Sequence, residues 1–492
     1  MRAPRVRLAL TTTLFLAAGL SAQQMPPQQQ SPTKGVVKKG KVPVSSEIIK
    51  VTLPKPAEAD LTNGLHLMVL EDHRLPQVSF TIYIPGAGGY YDPADHPGLA
   101  SFTAALMREG TASRTSDKIS QELEVMAASL NATASVSGQE ATVGGSSLSN
   151  QLDHLFDLTA DVLLHPSFPD EELTRYKQRT RQFLTQTRAQ PGFLAQEMFQ
   201  RVVYGSHPAS RVLATIPALD KTTRDALVDF HRTHFVPDHA ALAISGDISM
   251  ADARKLVESR LGAWKKADVG MPAVTDPMPI SGSKIYFIAR PSSVQTNLTV
   301  GLQAIERTSP DYDRLQVMNR ILGGGPTGRL FLHLREEKGY TYGAYSGLTT
   351  PLHRGDWSAS TSVRTEVTEP ALRDLLAEIN QIRDQPVTDE ELADARRSMI
   401  ASFALSLESP QTLLNYYVTM WRYKLPADYF DRYADRVSAV TKDQVRAMAQ
   451  KYLDPARLQI VAVGDPTKVV DVLKKLGEVE SYDADGKRIS TQ

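Results

Sequence analysis

Apolar positions along this chain follow two periods, one helical and one alternating, and the same series of runs occurs twice. In the first half, alternating or continuous apolar runs at 65–70 and 77–84, rich in β-branched residues, predict strands. Helices are predicted over 98–108 and 116–128, the second with Ile119, Leu123 and Met126 at helical spacing. Short runs at 131–136 and 140–145 predict a hairpin, and helices are predicted over 150–164 and 170–189. The last of these opens on acidic residues, which suit the positive end of a helix dipole. From 284 onward the series returns, with helices near 311–322, 369–383 and 388–407.

The two halves hold one register. Gln77-Val-Ser-Phe-Thr-Ile82 meets Gln295-Thr-Asn-Leu-Thr-Val300 at an offset of 218 residues, and Gly246-Asp247 meets Gly464-Asp465 at the same offset. Asp170-Glu-Glu-Leu173 meets Asp389-Glu-Glu-Leu392, and Pro191 meets Pro410, at 219. A period this long denotes a duplicated domain, not a solenoid. Strands followed by runs of helices predict an α+β fold: two duplicated domains, each a mainly antiparallel sheet with helices packed on it. The expected boundaries are an N-terminal domain over 46–268, a linker over 269–283 marked by Pro272, Pro277 and Gly282, a C-terminal domain over 284–480, and a polar tail over 481–492.

Composition then removes whole classes of function. Of 492 residues, Lys plus Arg number 55 and Asp plus Glu number 55, so the chain lacks the basic excess that nucleic acid or an anionic membrane surface demands. There is no cysteine, which excludes disulfides, thiol catalysis, cysteine-ligated zinc and iron–sulfur clusters. Arg2, Arg5 and Arg7 precede an apolar run at 8–20 and a small-residue site ending at Ala22. This is the grammar of a signal peptide over 1–22, and the run is too short to span a bilayer. Residues 23–45, rich in Gln, Pro and Lys, read as a flexible leader. The expected localisation is exported, periplasmic or secreted.

The duplicated α+β layout, the Leu-Pro-Gln-Val-Ser strand at 75–79, Pro85-Gly86-Ala87-Gly88 and Gly98-Leu-Ala before a helix carry a family resemblance. So does Gly323-Gly-Gly-Pro-Thr-Gly-Arg-Leu-Phe331 running into Leu334-Arg-Glu-Glu-Lys-Gly-Tyr-Thr-Tyr342. In this order they resemble the M16 (pitrilysin/insulinase) metallopeptidase family over about 46–470, most of all its short two-domain members, which include processing-peptidase subunits.

The resemblance implies a zinc site that these residues do not provide. Active members carry His-x-x-Glu-His on the helix after the Gly-Leu-Ala step, two histidines on one helical face with a glutamate as base. Here the five positions read Ser101-Phe102-Thr103-Ala104-Ala105, and the third-ligand position falls near Gln182, with no carboxylate between Glu172 and Glu197. Among 11 histidines no pair stands at i, i+4; His231, His234 and His239 cluster at what reads as a helix end. Zinc is therefore not expected on this chain. The resemblance also implies an arginine and a tyrosine seven residues apart that face the zinc, and Arg335 and Tyr342 match that spacing. A phenol can donate to a developing oxyanion, and a guanidinium can fix a carbonyl. Gly323, Gly324 and Gly325 match the glycine-rich stretch that guides substrate in processing-peptidase relatives, with a helix-ending turn as the equal alternative. They do not form a phosphate cradle, because no Lys-Ser/Thr follows at the needed position.

The expected function is that of a zinc-less, exported M16-type subunit, inactive alone. It would supply Arg335 and Tyr342 for peptide substrates to a partner subunit that carries the His-x-x-Glu-His zinc site. The alternative is a non-catalytic peptide-binding or assembly protein of the same fold.

Overall fold

A computed structural model describes residues 51–267 and 273–489; the expected signal peptide and leader lie outside the described residues. The first half builds a six-stranded sheet from β1 (Ala57–Asp60), β2 (His66–Glu71), β3 (Gln77–Pro85), β4 (Ser129–Ala134), β5 (Glu140–Leu148) and β6 (Ala241–Gly246), in the order β1-β2-β6-β3-β5-β4. All neighbours are antiparallel except β2 and β6. Its helices are α1 (Leu99–Met107), α2 (Ser116–Val125), α3 (Leu152–Leu164), α4 (Asp170–Arg188), α5 (Pro191–Tyr204), α6 (Ile216–Lys221), α7 (Arg224–His234) and α8 (Met250–Leu261). In the second half the strands are β7 (Lys284–Ala289), β8 (Gln295–Gln303), β9 (Thr341–Thr349), β10 (Asp356–Arg364), β11 (Gln459–Gly464), β12 (Val479–Tyr482) and β13 (Arg488–Ile489). They run β13-β12-β7-β11-β8-β10-β9, so β7-β11-β8-β10-β9 repeats β2-β6-β3-β5-β4.

The C-terminal helices are α9 (Tyr312–Leu322), α10 (Arg329–Phe331), α11 (Thr368–Asp384), α12 (Asp389–Ser406), α13 (Pro410–Tyr423), α14 (Tyr433–Ser438), α15 (Lys442–Tyr452) and α16 (Pro466–Lys474). The duplicated α+β fold is thus present, and β3 and β8 lie in the register that the sequence offset predicts. Residues 481–489 depart from the expected polar tail. They complete β12 and form β13, where Lys284 and Arg488 pair with Glu480 at the sheet edge.

Each sheet buries one face under its own helices. Val78, Phe80, Ile82 and Ile84 on β3 alternate inward to meet Leu106, Phe156 and Val162. The central strands are buried on both faces, and their side chains sort by face. On β6, Leu242 and Ile244 join this core, whereas Ala241 and Ala243 turn to the opposite side. There they meet Leu413, Leu414 and Tyr417 of α13, a helix of the other half. The arrangement is reciprocal: α5 of the first half lies on β11 and β8 of the second, with Leu194, Met198 and Phe199 against Val461 and Val463. Each half therefore covers the other's sheet, and the two form one compact unit.

Gly301 on β8 is a condition of this contact. A Cβ there would stand 2.3 Å from the Trp357 carbonyl oxygen and 2.7 Å from the Phe199 ring.

Polar groups lock the seam. Gln303 donates to the Val203 and Met278 carbonyls at 2.8 and 2.7 Å, and Arg422 reaches Glu140 at 2.5 Å. The Tyr204 hydroxyl donates to Asp356 Oδ2 at 2.6 Å, and the rings of His207 and His353 stand 4.7 Å apart beside them. Asp356 is 2% exposed, and burial pushes its carboxyl up to about 6 against the opposing hydrogen bonds. Burial holds both histidines below their ordinary value.

Two outcomes are expected from this seam. Phe199→Ala removes a buried ring from the exchanged helix and should lower unfolding stability by about 3–5 kcal/mol in urea titration. For Asp356 the raised value means a stability contribution that is complete below its ordinary 3.8 and lost as pH rises through about 6. Asp356→Asn keeps an acceptor for Tyr204. Its stability advantage over the unsubstituted protein should therefore grow across that window and then level off. The histidine contributions have the opposite sign but cancel in the difference, so a pH-independent difference would contradict the assignment.

Candidate functional site

Helix α1 carries the degenerate zinc positions. Its start is fixed by Asp92, whose carboxylate accepts from the Gly98 and Ala100 amides at 2.6 and 2.8 Å. Burial pushes that carboxyl up to about 6 despite these bonds. Ser101 donates its hydroxyl to the Ala134 carbonyl at 2.5 Å and ties α1 to the terminal strand β4. Ser101 and Ala105 line a cavity of about 330 Å³, whereas Ala104 is wholly buried in the core. From α4 the cavity receives Tyr176, Arg179, Thr180, Phe183 and Leu184; Gln182 is exposed and is not among the lining residues.

This donor set does not fit zinc. The one carboxylate that lines the cavity, Glu109, accepts from Ser116 at 2.7 Å and stands 3.8 Å from Arg179. A tetrahedral zinc site needs nitrogen or carboxylate ligands in number, and the walls here are mostly apolar. The three histidines near the end of α7 offer no substitute. His231 and His234 bond to the Leu163 and Gly86 carbonyls at 2.8 Å each, and His234 stacks on Phe230. Among the described residues no group of three or more His, Asp or Glu is arranged to hold a metal.

Arg335 and Tyr342 lie on either side of a sharp turn. After α10 the chain forms a π-helical turn, Leu332–Glu337, anchored by buried Leu334 and by His333, which meets Glu378 at 2.7 Å. The turn closes at Gly339, whose φ of 62° suits glycine, and the chain enters β9. In β9 the pairing with β10 slips: Ala344 faces Thr361 and Thr341 faces Val363, so Tyr342 and Gly343 together oppose Ser362. This is a β-bulge, a device that re-aims a side chain. Ala344, Ser346 and Leu348 continue the helix-facing side of the strand, but Tyr342 is thrown clear and is 88% exposed.

The Thr341 hydroxyl pins the bulge. Its oxygen lies 2.9 and 2.8 Å from the Gly343 and Ser362 carbonyl oxygens, the two acceptors open to its one proton, and accepts from the Gly343 amide at 3.1 Å. Arg335 lies over the Phe331 ring at 4.6 Å and meets Glu336 at 3.5 Å, a half-exposed pair of little energetic weight. Phe331 and Glu336 are thus the partners of Arg335 on one side of the turn, and Tyr342 stands on the other, at the start of β9.

Gly323, Gly324 and Gly325 end α9 as a packed turn. The Ser346 amide donates to the Gly323 carbonyl at 2.8 Å, and a Cβ on Gly323 would stand 2.6 Å from Ser346 Oγ. Of the two roles anticipated for these glycines, this geometry serves the helix-ending one.

Beside the Tyr342 corner lies a wall that sequence reasoning missed. A cavity of about 520 Å³ opens between α5 and the C-terminal sheet, lined by Gln196, Gln200, Asn297, Thr299 and Ser360, with Tyr345 at its side. Its hydroxyls and amides can serve the N–H and C=O groups of an extended peptide. The alternation of Ser358, Ser360 and Ser362 signals the wall in the sequence, but the α5 residues arrive from the other half.

Comparison with known proteins gives this geometry relatives. A family profile described as Insulinase (Peptidase family M16) matches residues 67–215, and one described as Peptidase M16 inactive domain matches 221–399. The chain is similar to an uncharacterized zinc protease of Streptomyces coelicolor, 25% identical over 369 residues, covering 72% of this chain and 78% of the relative. An uncharacterized zinc protease of Bacillus subtilis is 21% identical over 354 residues, with 72% and 85% covered. Among solved structures, a peptidase M16 inactive domain from Pseudomonas fluorescens matches with a TM-score of 0.77 at 27% identity, covering 84% of this chain and 98% of that one. A protease from Helicobacter pylori shares the fold with a TM-score of 0.77 at 16% identity, covering 84% and 100%.

Rebuilding the helical motif alone should fail. The triple variant Ser101→His, Ala104→Glu, Ala105→His lacks a third ligand on α4, and its new glutamate enters a closed core position. Elemental analysis should find no stoichiometric zinc in it. About one tightly held zinc per chain would contradict the geometry.

Proposed function

This chain belongs to the insulinase peptidase family, M16, and from the geometry of its two half-sites we propose that it is the zinc-less subunit of a heteromeric peptidase. The observation that carries this reading is the division between the halves. The first offers Ser101, Ala104 and Ala105 where zinc chemistry would need ligands and base, while the second holds Tyr342 out to solvent on a pinned bulge. A phenol held in solvent on a pinned bulge is placed to act on a group that another chain brings to it. The partner is then a second M16 chain that carries the His-x-x-Glu-His site, and the two together enclose a peptide. Neither exposed group can act on a carbonyl until such a chain brings the reacting bond within hydrogen-bond reach.

In that complex the Tyr342 hydroxyl donates to the peptide oxygen as it gains negative charge, and Arg335 holds a neighbouring carbonyl. The hydroxyl and amide wall at Gln196, Gln200, Asn297 and Thr299 orients the extended backbone. Relatives named zinc protease support the peptide as substrate class. The charged start, apolar run and Ala22 support export, and protein recovered from the exported fraction should begin near Gln23. N-terminal sequencing checks this, and an intact Met1 would count against it.

Tyr342→Phe should leave folding and complex formation unchanged and lower the partner-dependent kcat by roughly 10²-fold, the usual cost of one oxyanion donor. Arg335→Ala should raise KM as well, since a guanidinium also holds the ground state. Tyr340→Phe, two residues earlier and packed against the C-terminal core, is the control and should change little. If Tyr342→Phe is silent in an active complex, the phenol has no catalytic role. If no zinc-bearing partner restores activity, the chain acts as a peptide-binding or assembly protein.

A further inference from the structure

A third cavity, of about 340 Å³, lies on the C-terminal half among α9, α12, α13 and the segment 424–433, and shares no lining residue with the cavity beside the Tyr342 corner. Its wall is a ladder of alternating rings and guanidinium groups. Arg307 lies 3.8 Å from the Tyr312 ring centroid and 5.1 Å from that of Tyr429, and Arg436 lies 3.7 Å from Tyr429. The charges do not balance. Asp313, the carboxylate of the cavity, is taken by Arg436 at 2.7 Å. Arg307 donates to the Tyr429 hydroxyl at 3.1 Å, and Arg320 donates to Ser398 and to the Gly324 carbonyl at 3.0 and 2.7 Å. Among the described residues neither of these two arginines has a carboxylate within ion-pairing distance. Arg307 is nonetheless only 8% exposed. Ring faces offset part of the cost of burying a guanidinium, but leave its in-plane N–H donors to be satisfied. The far side of the cavity is apolar, built by Met399, Phe403 and Phe430.

We propose that this cavity binds a carboxylate carried on an aromatic or branched apolar body, with the carboxylate at Arg307 and Arg320 and the body against Phe403 and Phe430. The volume suits one such residue, and two guanidiniums without counter-ions select for the anion. The C-terminal residue of a peptide and a small free aromatic acid present this same chemistry.

Ligand-observed NMR and calorimetry on the full chain test it with four probes: N-acetyl-phenylalanine, its C-terminal amide, a hexapeptide ending in phenylalanine, and phenylpropionate. The acids should bind, and the amide should be weaker by about tenfold or more. Binding of the hexapeptide identifies a peptide C-terminus as the source, whereas binding of only the two small acids identifies a free acid. Arg307→Gln should abolish the preference for acid over amide. If that variant melts early, Arg320→Gln should reduce the preference and Arg307→Lys should retain part of it. Equal binding of acid and amide, or no binding of either at about 10 mM, overturns the proposal.

Discussion

The exchange of α5 and α13 is the contact on which the rest of this structure depends. Each duplicated half leaves the outer face of its central strands apolar, and each supplies the helix that covers the other's sheet. Neither half can bury its sheet on both faces alone. The sorting of β6 into large inward and small outward residues, and the glycine at 301 beneath Phe199, are conditions of that contact. Duplication thus yields one folding unit instead of two beads on a string.

The exchange also shapes the candidate site. Because α5 lies across β11 and β8, the face of β10 beyond it stays open and polar, and the hydroxyl and amide wall forms where the two meet. The terminal strand β9 then carries the bulge that throws Tyr342 outward, with Thr341 as its pin. On the other half, the cavity beneath Ser101 and Ala105 is mostly apolar, with Phe183 of α4 in its lining and 56% exposed. The first half presents no donor set that fits zinc, while the second holds an exposed phenol at its corner.

Much of the fold was legible in the sequence because it rests on local periodicity. β3 and α1 begin within a residue of their expected starts, and the 218-residue offset places β8 and β11 in register with β3 and β6. Long-range events left weaker traces. Nothing local says that the helix opened by Pro191 will lie on the sheet of the other half. The strand β5 extends to Leu148, beyond its expected end at 145, because Ser146 and Ser147 carry small polar side chains without a strand signature. At the site, the spacing of Arg335 and Tyr342 was readable but the bulge was not, since a slip in pairing depends on both strands. The ladder at Arg307 was invisible for the same reason: Tyr312 and Tyr429 are brought to it by tertiary packing.

Under the proposed function, this chain completes its site with a second, zinc-bearing chain. Native mass spectrometry of the complex recovered from the producing cell, with zinc analysis and chelator-sensitive peptidase activity measured on the same fraction, addresses it most directly. The expected result is this chain in association with a second one carrying His-x-x-Glu-His, zinc in proportion to that second chain, and peptidase activity that chelator removes. Recovery of this chain alone, with peptidase activity that survives chelator, would contradict it.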